Sequence, residues 1–227
     1  MLFTPFRLLS LSLMGMATLG WQRWSYPAMI FTQLGRSGQG ELVTAARFHL
    51  TDGSSFATRL AQAALNRPGH FVRYDSSYKK IDFPMGDVPS NTGNCADEIV
   101  RIYRDAGVDL QECVYLDMVK TFGAYPHPKK QRQPDTNIDH RCVPNLQVFF
   151  KRHGTLLPPS QNPSDYQPGD IITCTAPGGQ PHIAMVVPSP ASGTRPWIVH
   201  NIGWGPVLED TLFDLPITGH YRYLPFD

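Results

Sequence analysis

Behind Asn94, apolar residues recur at helical spacing as Ile99, Val100, Tyr103 and Ala106, with Asp97 three positions after the asparagine. This predicts a loop that enters an amphipathic helix at Cys95 and stops at Gly107. Phe56, Leu60 and Ala64 mark the face of an earlier helix, opened at Ser54 or Ser55 and ended by Pro68-Gly69. Residues 108–119 predict another helix containing Cys113, residues 147–152 a short one before Gly154, and residues 41–49 a weak one. From Pro168 onward the pattern changes. Short β-rich runs at 171–175, 182–187, 197–202 and 219–223 alternate with Pro/Gly turns, which predicts an antiparallel meander. Helices followed by strands give an α+β fold, N-terminal helices packed on a C-terminal antiparallel sheet.

With 227 residues, 41% of them hydrophobic, the chain can bury one good core. The expected organisation is a signal peptide or N-terminal anchor over 1–20, linker and weak helix over 21–50, and a single catalytic domain over 51–227. The first segment carries Arg7, an apolar run over 8–16 and small residues around Gly15-Met16-Ala17, as an export leader does. The protein is therefore expected to be exported, periplasmic or extracellular, and to touch a membrane only through such an anchor. Twenty Lys and Arg against nineteen Asp and Glu leave a net charge of +1, which offers no field for a nucleic-acid partner. Oligomeric state is not legible.

Cys95 stands at a helix start, where unpaired N–H groups and the helix dipole favour a thiolate, so it is a nucleophile candidate with a lowered pKa. A nucleophilic thiol needs a base. His182 opens a strand just past a tight turn and suits that role, while His200, near the end of the next strand, could orient its ring. Neighbouring strand residues face opposite ways, so only one of His200 and Asn201 can do this, with His200 preferred. Asp97, Asp139, His140, Arg141 and Asn201 are candidate substrate contacts; Arg141 could hold a carboxylate in its planar fork. Residues 74–89, turn-rich and aromatic, are expected to form a rim beside the thiol. Cys95, Cys113, Cys142 and Cys174 form no C-x-x-C pair and no H-E-x-x-H is present, so neither a metal site nor a cofactor is expected.

The order of a helix-initial Cys, Pro168-Gly169-Asp170 before a strand, His182 on the following strand and a third polar residue on the next resembles the papain-like NlpC/P60 cysteine peptidases. More closely, residues 78–223 are similar to the family of domain of unknown function 1287. The segments that carry this are Pro84-Met85-Gly86-Asp87-Val88-Pro89, Gly93-Asn94-Cys95-Ala96-Asp97, Asp109-Leu110-Gln111, Asn137-Ile138-Asp139-His140-Arg141, Val143-Pro144-Asn145-Leu146, Pro168-Gly169-Asp170-Ile171, Val199-His200-Asn201-Ile202-Gly203 and Ile217-Thr218-Gly219-His220-Tyr221-Arg222-Tyr223. The resemblance implies hydrolysis of an amide in a peptidoglycan peptide. Cys95 would attack, His182 would serve as base, His200 would hold its tautomer, and N–H groups at the helix start would bind the oxyanion. Cys142 and Cys174 depart from that family's pattern, which suggests a bridge between them. The alternatives are a non-catalytic peptide- or glycan-binding module on the same fold, and a papain-like acyltransferase.

Overall fold

The computed structural model describes residues 38–50, 55–128, 130–193 and 195–226. The leader expected over 1–20, and residues 21–37 of the linker and weak helix expected over 21–50, lie outside the described residues. In chain order the elements are α1 (Gln39–Phe48), α2 (Phe56–Leu65), β1 (Arg73–Tyr74), β2 (Thr92–Gly93), α3 (Cys95–Asp105), α4 (Leu110–Thr121), α5 (Val143–His153), β3 (Thr155–Leu157), β4 (Ile171–Ala176), β5 (Gln180–Val187), β6 (Trp197–His200), β7 (Val207–Glu209) and β8 (Ile217–Arg222). The expected α+β segregation is observed. Among the described residues no helix is long and apolar enough to cross a membrane.

The helix ends follow from local chemistry. Ser55 caps α2 by accepting from the Thr58 N–H, and Asp109 caps α4 through the Gln111 N–H. The helix expected over 147–152 starts earlier, at Val143, because Pro144 fits the first turn, where its missing N–H costs no bond.

The sheet differs from a plain meander. Its order is β3-β8-β4-β5-β6-β7, every neighbouring pair antiparallel. Strands β4 to β7 do run as successive neighbours, but β8 returns to the other edge of β4 and carries β3 outside it. A buried carboxylate holds this return in place. Asp170, at the mouth of β4, accepts from His220 Nε2 at 2.8 Å and from Arg222 Nε and Nη2 at 2.7 and 2.9 Å.

Helices cover one face of the sheet. Phe56, Leu60, Ile99, Tyr103, Leu146 and Phe150 pack there against Ile183, Met185 and Val199. A smaller cluster around Tyr166, Ile172, Ala184, Val186 and Leu212 closes the other face. Helix α3 is the pivot, and even its polar residues Asp97, Glu98 and Arg101 are buried and paired. Glu98 binds Arg67 and Arg101 at 2.9 Å each, and Arg101 reaches on to Asp87. The Tyr103 hydroxyl donates to the Tyr223 carbonyl at 3.0 Å, so that fully buried ring leaves no polar atom unsatisfied.

Candidate active site

Asn94 and Asp97 form a complete capping box. The Asn94 Oδ1 accepts from the Ala96 and Asp97 N–H groups at 2.8 and 3.0 Å, and the Asp97 carboxylate accepts from the Asn94 N–H at 2.7 Å. The chain enters through Gly93, whose φ is +154° and whose added Cβ would lie 3.1 Å from the Asp97 Cβ. A larger residue would push the cap apart.

This fixes Cys95 as the first helical residue, with 3% of its surface exposed. Strand β6 pairs with β5 only over Met185 to Val187, so the β5 edge at His182 and Ile183 is open on that side. The helix start fills the gap, and the Ile183 N–H lies beside the Cys95 sulfur, where it favours the thiolate. A second partner comes from β1, which pairs in parallel with β2 so that Tyr74 stands opposite Gly93. The Tyr74 hydroxyl lies beside the sulfur and is itself pushed up by burial and by that thiol.

The expected lowering of the thiol pKa is not what the structure gives. Burial pushes the Cys95 pKa up, while the N–H of Ile183, the Tyr74 hydroxyl and the N–H of Ala96 pull weakly the other way. The donors around the sulfur count for less than the desolvation of a nearly covered thiol.

His182 and His200 meet as expected. His182 Nε2 lies 2.9 Å from His200 Nδ1, with the rings edge to face. Their positions follow from register, since Met185 pairs with Val199 and the two histidines therefore share a face along a diagonal. Burial, and then His200, push the His182 pKa down to about 3. His200 Nε2 in turn lies 3.0 Å from Glu209 Oε2 on β7. Among the described residues, His182 Nδ1 takes part in no hydrogen bond, and none joins the sulfur to an imidazole.

The residues expected to contact substrate are buried and engaged within the protein. Arg141 donates to Asp97 from Nε at 2.7 Å and Nη2 at 3.0 Å, and reaches the Ser77 and Asp75 carbonyls at 2.9 and 3.3 Å. Its fork is thus filled by the protein's own carboxylate. Asp139 accepts from Gln131 Nε2 and from the Asp135 N–H. His140 is 3% exposed and pushed down to about 3, chiefly by burial and then by Arg141 and Arg104. Asn201 is fully buried and accepts from the N–H groups of Gly203 and Gly205 at 3.1 and 3.3 Å. The Gly203 carbonyl accepts from the Tyr74 N–H at 3.0 Å, so Arg141 and Asn201 both brace the segment that carries Tyr74.

All four cysteines are free, and the bridge suggested between Cys142 and Cys174 is not formed. Among the described residues no group of three His, Cys, Asp or Glu side chains is arranged to hold a metal ion. Two cavities, of about 180 and 390 Å³, lie at His49 and Pro188 and at Leu157 and Arg222, away from Cys95.

Two neighbours of the site escape a sequence reading. Glu209 sits on a three-residue strand too short for a periodic signal, and Tyr74 belongs to the expected rim without being singled out. The layout is a helix opened by a cysteine and packed on an antiparallel sheet whose adjacent strands carry histidines.

Residues 61–223 match the family described as Domain of unknown function (DUF1287). The chain is similar to the uncharacterized protein YijF of Escherichia coli (strain K12), 44% identical over 164 residues that cover 72% of this chain and 80% of that protein. It is also similar to the solved structures of NlpC1 and NlpC2 from Trichomonas vaginalis, each 18% identical over 76% of this chain, with TM-scores of 0.40 and 0.39. The alignment spans 45% and 48% of those two chains, less than half of their length.

Proposed function

The chain belongs to the DUF1287 family, and on that premise we propose that it is a cysteine hydrolase cutting an amide bond in a peptidoglycan peptide. The observation that carries this reading is the seating of the Cys95 sulfur on the Ile183 N–H, at the open edge of β5 next to His182, with His182 bonded to His200. Cys95 gives its proton to His182 Nδ1 as the sulfur attacks the carbonyl carbon. His182 returns that proton to the leaving amine, and water then cleaves the thioester with His182 again as base.

Of the helix-start N–H groups expected as oxyanion donors, the Cys95 N–H is kept in this reading and the Tyr74 hydroxyl is added. The Ala96 and Asp97 N–H groups are taken by the Asn94 cap, which leaves the Cys95 N–H and the Tyr74 hydroxyl as the donors beside the sulfur. A wall substrate presupposes export, for which the apolar run at 8–16 is the feature in favour.

The test is digestion of purified peptidoglycan by wild type and Cys95→Ala, followed by mass spectrometry of the fragments. Wild type releases peptides and Cys95→Ala releases none at an unchanged thermal midpoint; release by the variant overturns the assignment. Products carrying an added amine in place of water would move the reading to acyl transfer. A second reading, a peptide- or glycan-binding module with an inert thiol, is favoured by the raised Cys95 pKa and by the lack, among the described residues, of a sulfur–imidazole hydrogen bond. It predicts retention on peptidoglycan without release of fragments.

A further inference from the structure

The ladder behind His182 has a direction, and its far end sets it. An ionised carboxylate only accepts, so in the 3.0 Å contact between His200 Nε2 and Glu209 Oε2 the hydrogen sits on the histidine. A neutral His200 then has its lone pair on Nδ1. That forces His182 to donate from Nε2 across the 2.9 Å contact and to keep its own lone pair on Nδ1. This is the nitrogen left over among the described residues, and it is the one that can take a proton from a thiol.

If the first bond is reversed, both rings reverse. His200 would donate from Nδ1, and His182 would carry its hydrogen on Nδ1 and be unable to act as a base there. We propose that Glu209 is a positioning residue that fixes the tautomer of His182 through His200, so that the imidazole nitrogen available to Cys95 is always the unprotonated one.

Register supports the placement. Glu209 pairs with Ile198, and His200 lies two residues further along β6 on the same face. When the Cys95 proton reaches His182 Nδ1, His182 Nε2–H still donates to His200, and His200 Nε2–H still donates to Glu209. No second proton moves, and the new positive charge is aligned with a carboxylate.

This inference rests on the hydrolase reading, but its deciding readout needs no substrate. Nitrogen-15 spectra of the histidine rings in the full chain at pH 8, assigned with His182→Gln and His200→Gln, should show both rings of the wild type as Nε2–H tautomers. Glu209→Gln, whose amide oxygen also accepts, should keep that pattern. Glu209→Leu should lose it, with a fall of about tenfold to a hundredfold in peptide release, the scale of a hydrogen bond to a charged group. A wild-type His182 protonated on Nδ1, or a folded Glu209→Leu with unchanged tautomers, overturns the assignment; should the leucine variant not fold, the wild-type and Glu209→Gln spectra decide. Failure of the hydrolase reading looks different: the tautomer ladder is intact and peptidoglycan is not cut.

Discussion

Replacing Arg141 with alanine separates two roles for the same side chain. If Arg141 holds a substrate carboxylate, its loss costs turnover and little stability. The structure gives it the opposite work. Its side chain is 1% exposed and that of Asp97 3%, and the two share a double contact at 2.7 and 3.0 Å, so solvent hardly screens the pair. Truncation leaves the Asp97 carboxylate buried with the Asn94 N–H as its remaining strong partner, and strips the Ser77 and Asp75 carbonyls of their donor. Removing one member of a buried pair costs about 3–5 kcal/mol. In a domain of this size each kcal/mol moves the thermal midpoint by about 2–4 °C, so a drop of about 6–20 °C is expected. Arg141→Lys keeps the charge without the fork and should fall between. Urea and thermal unfolding of wild type, Arg141→Ala, Arg141→Lys and Asp97→Asn make the measurement. If Arg141→Ala loses under about 1 kcal/mol yet abolishes peptide release, the staple assignment is wrong and the substrate role returns.

Tyr74→Phe keeps the ring and removes the hydroxyl beside the sulfur; peptide release should fall about a hundredfold with the thermal midpoint nearly unchanged, and full activity would exclude the hydroxyl as an oxyanion donor. Iodoacetamide labelling of Cys95 in the resting chain should be slow at pH 7 and rise only in the alkaline range, because burial pushes that thiol up; fast labelling with a midpoint below 7 would contradict this. His140 and His182 are both pushed down to about 3 by burial, so below about pH 6.5 the unfolded chain binds protons that the folded chain refuses. Their contribution is complete above that pH and is lost as pH falls from about 6.5 towards 3, at about 1.4 kcal/mol per pH unit for each histidine. Urea midpoints that stay flat between pH 6.5 and 4.5, or a His140→Gln variant as acid-labile as wild type, would refute the assignment.

The helix starts and the histidine-bearing strands were legible because their signals are local. A capping asparagine with an aspartate three residues on, and alternating apolar runs between Pro/Gly turns, depend on nothing distant. The return of β8 to β4 was not legible, because it is set by Asp170 binding His220 and Arg222 some fifty residues away. Charge density misled for a related reason. Asp139, His140 and Arg141 look like a surface cluster in a chain poor in charge, yet the short helical turn they form is buried against α3 and α4, where Arg141 finds Asp97. Sequence shows that charges are present; only the fold shows which of them neutralise one another.

The same burial governs the resting state of the site. Burial raises the Cys95 thiol and holds the His182 imidazole at about 3, so both rest uncharged and a preformed thiolate–imidazolium is disfavoured while Tyr74 roofs the sulfur. That roof is braced from two sides, by the Gly203 carbonyl on the Tyr74 N–H and by Arg141 on the Asp75 and Ser77 carbonyls. Those contacts hold the Tyr74 hydroxyl beside the sulfur unless something replaces them. For a hydrolase, the carbonyl of the scissile amide is suited to that, because it takes up the Tyr74 hydroxyl and places the developing oxyanion beside the Cys95 N–H. In that reading charge separation coincides with attack, and the proposed direction of the His182–His200–Glu209 ladder gives the proton one place to go, His182 Nδ1.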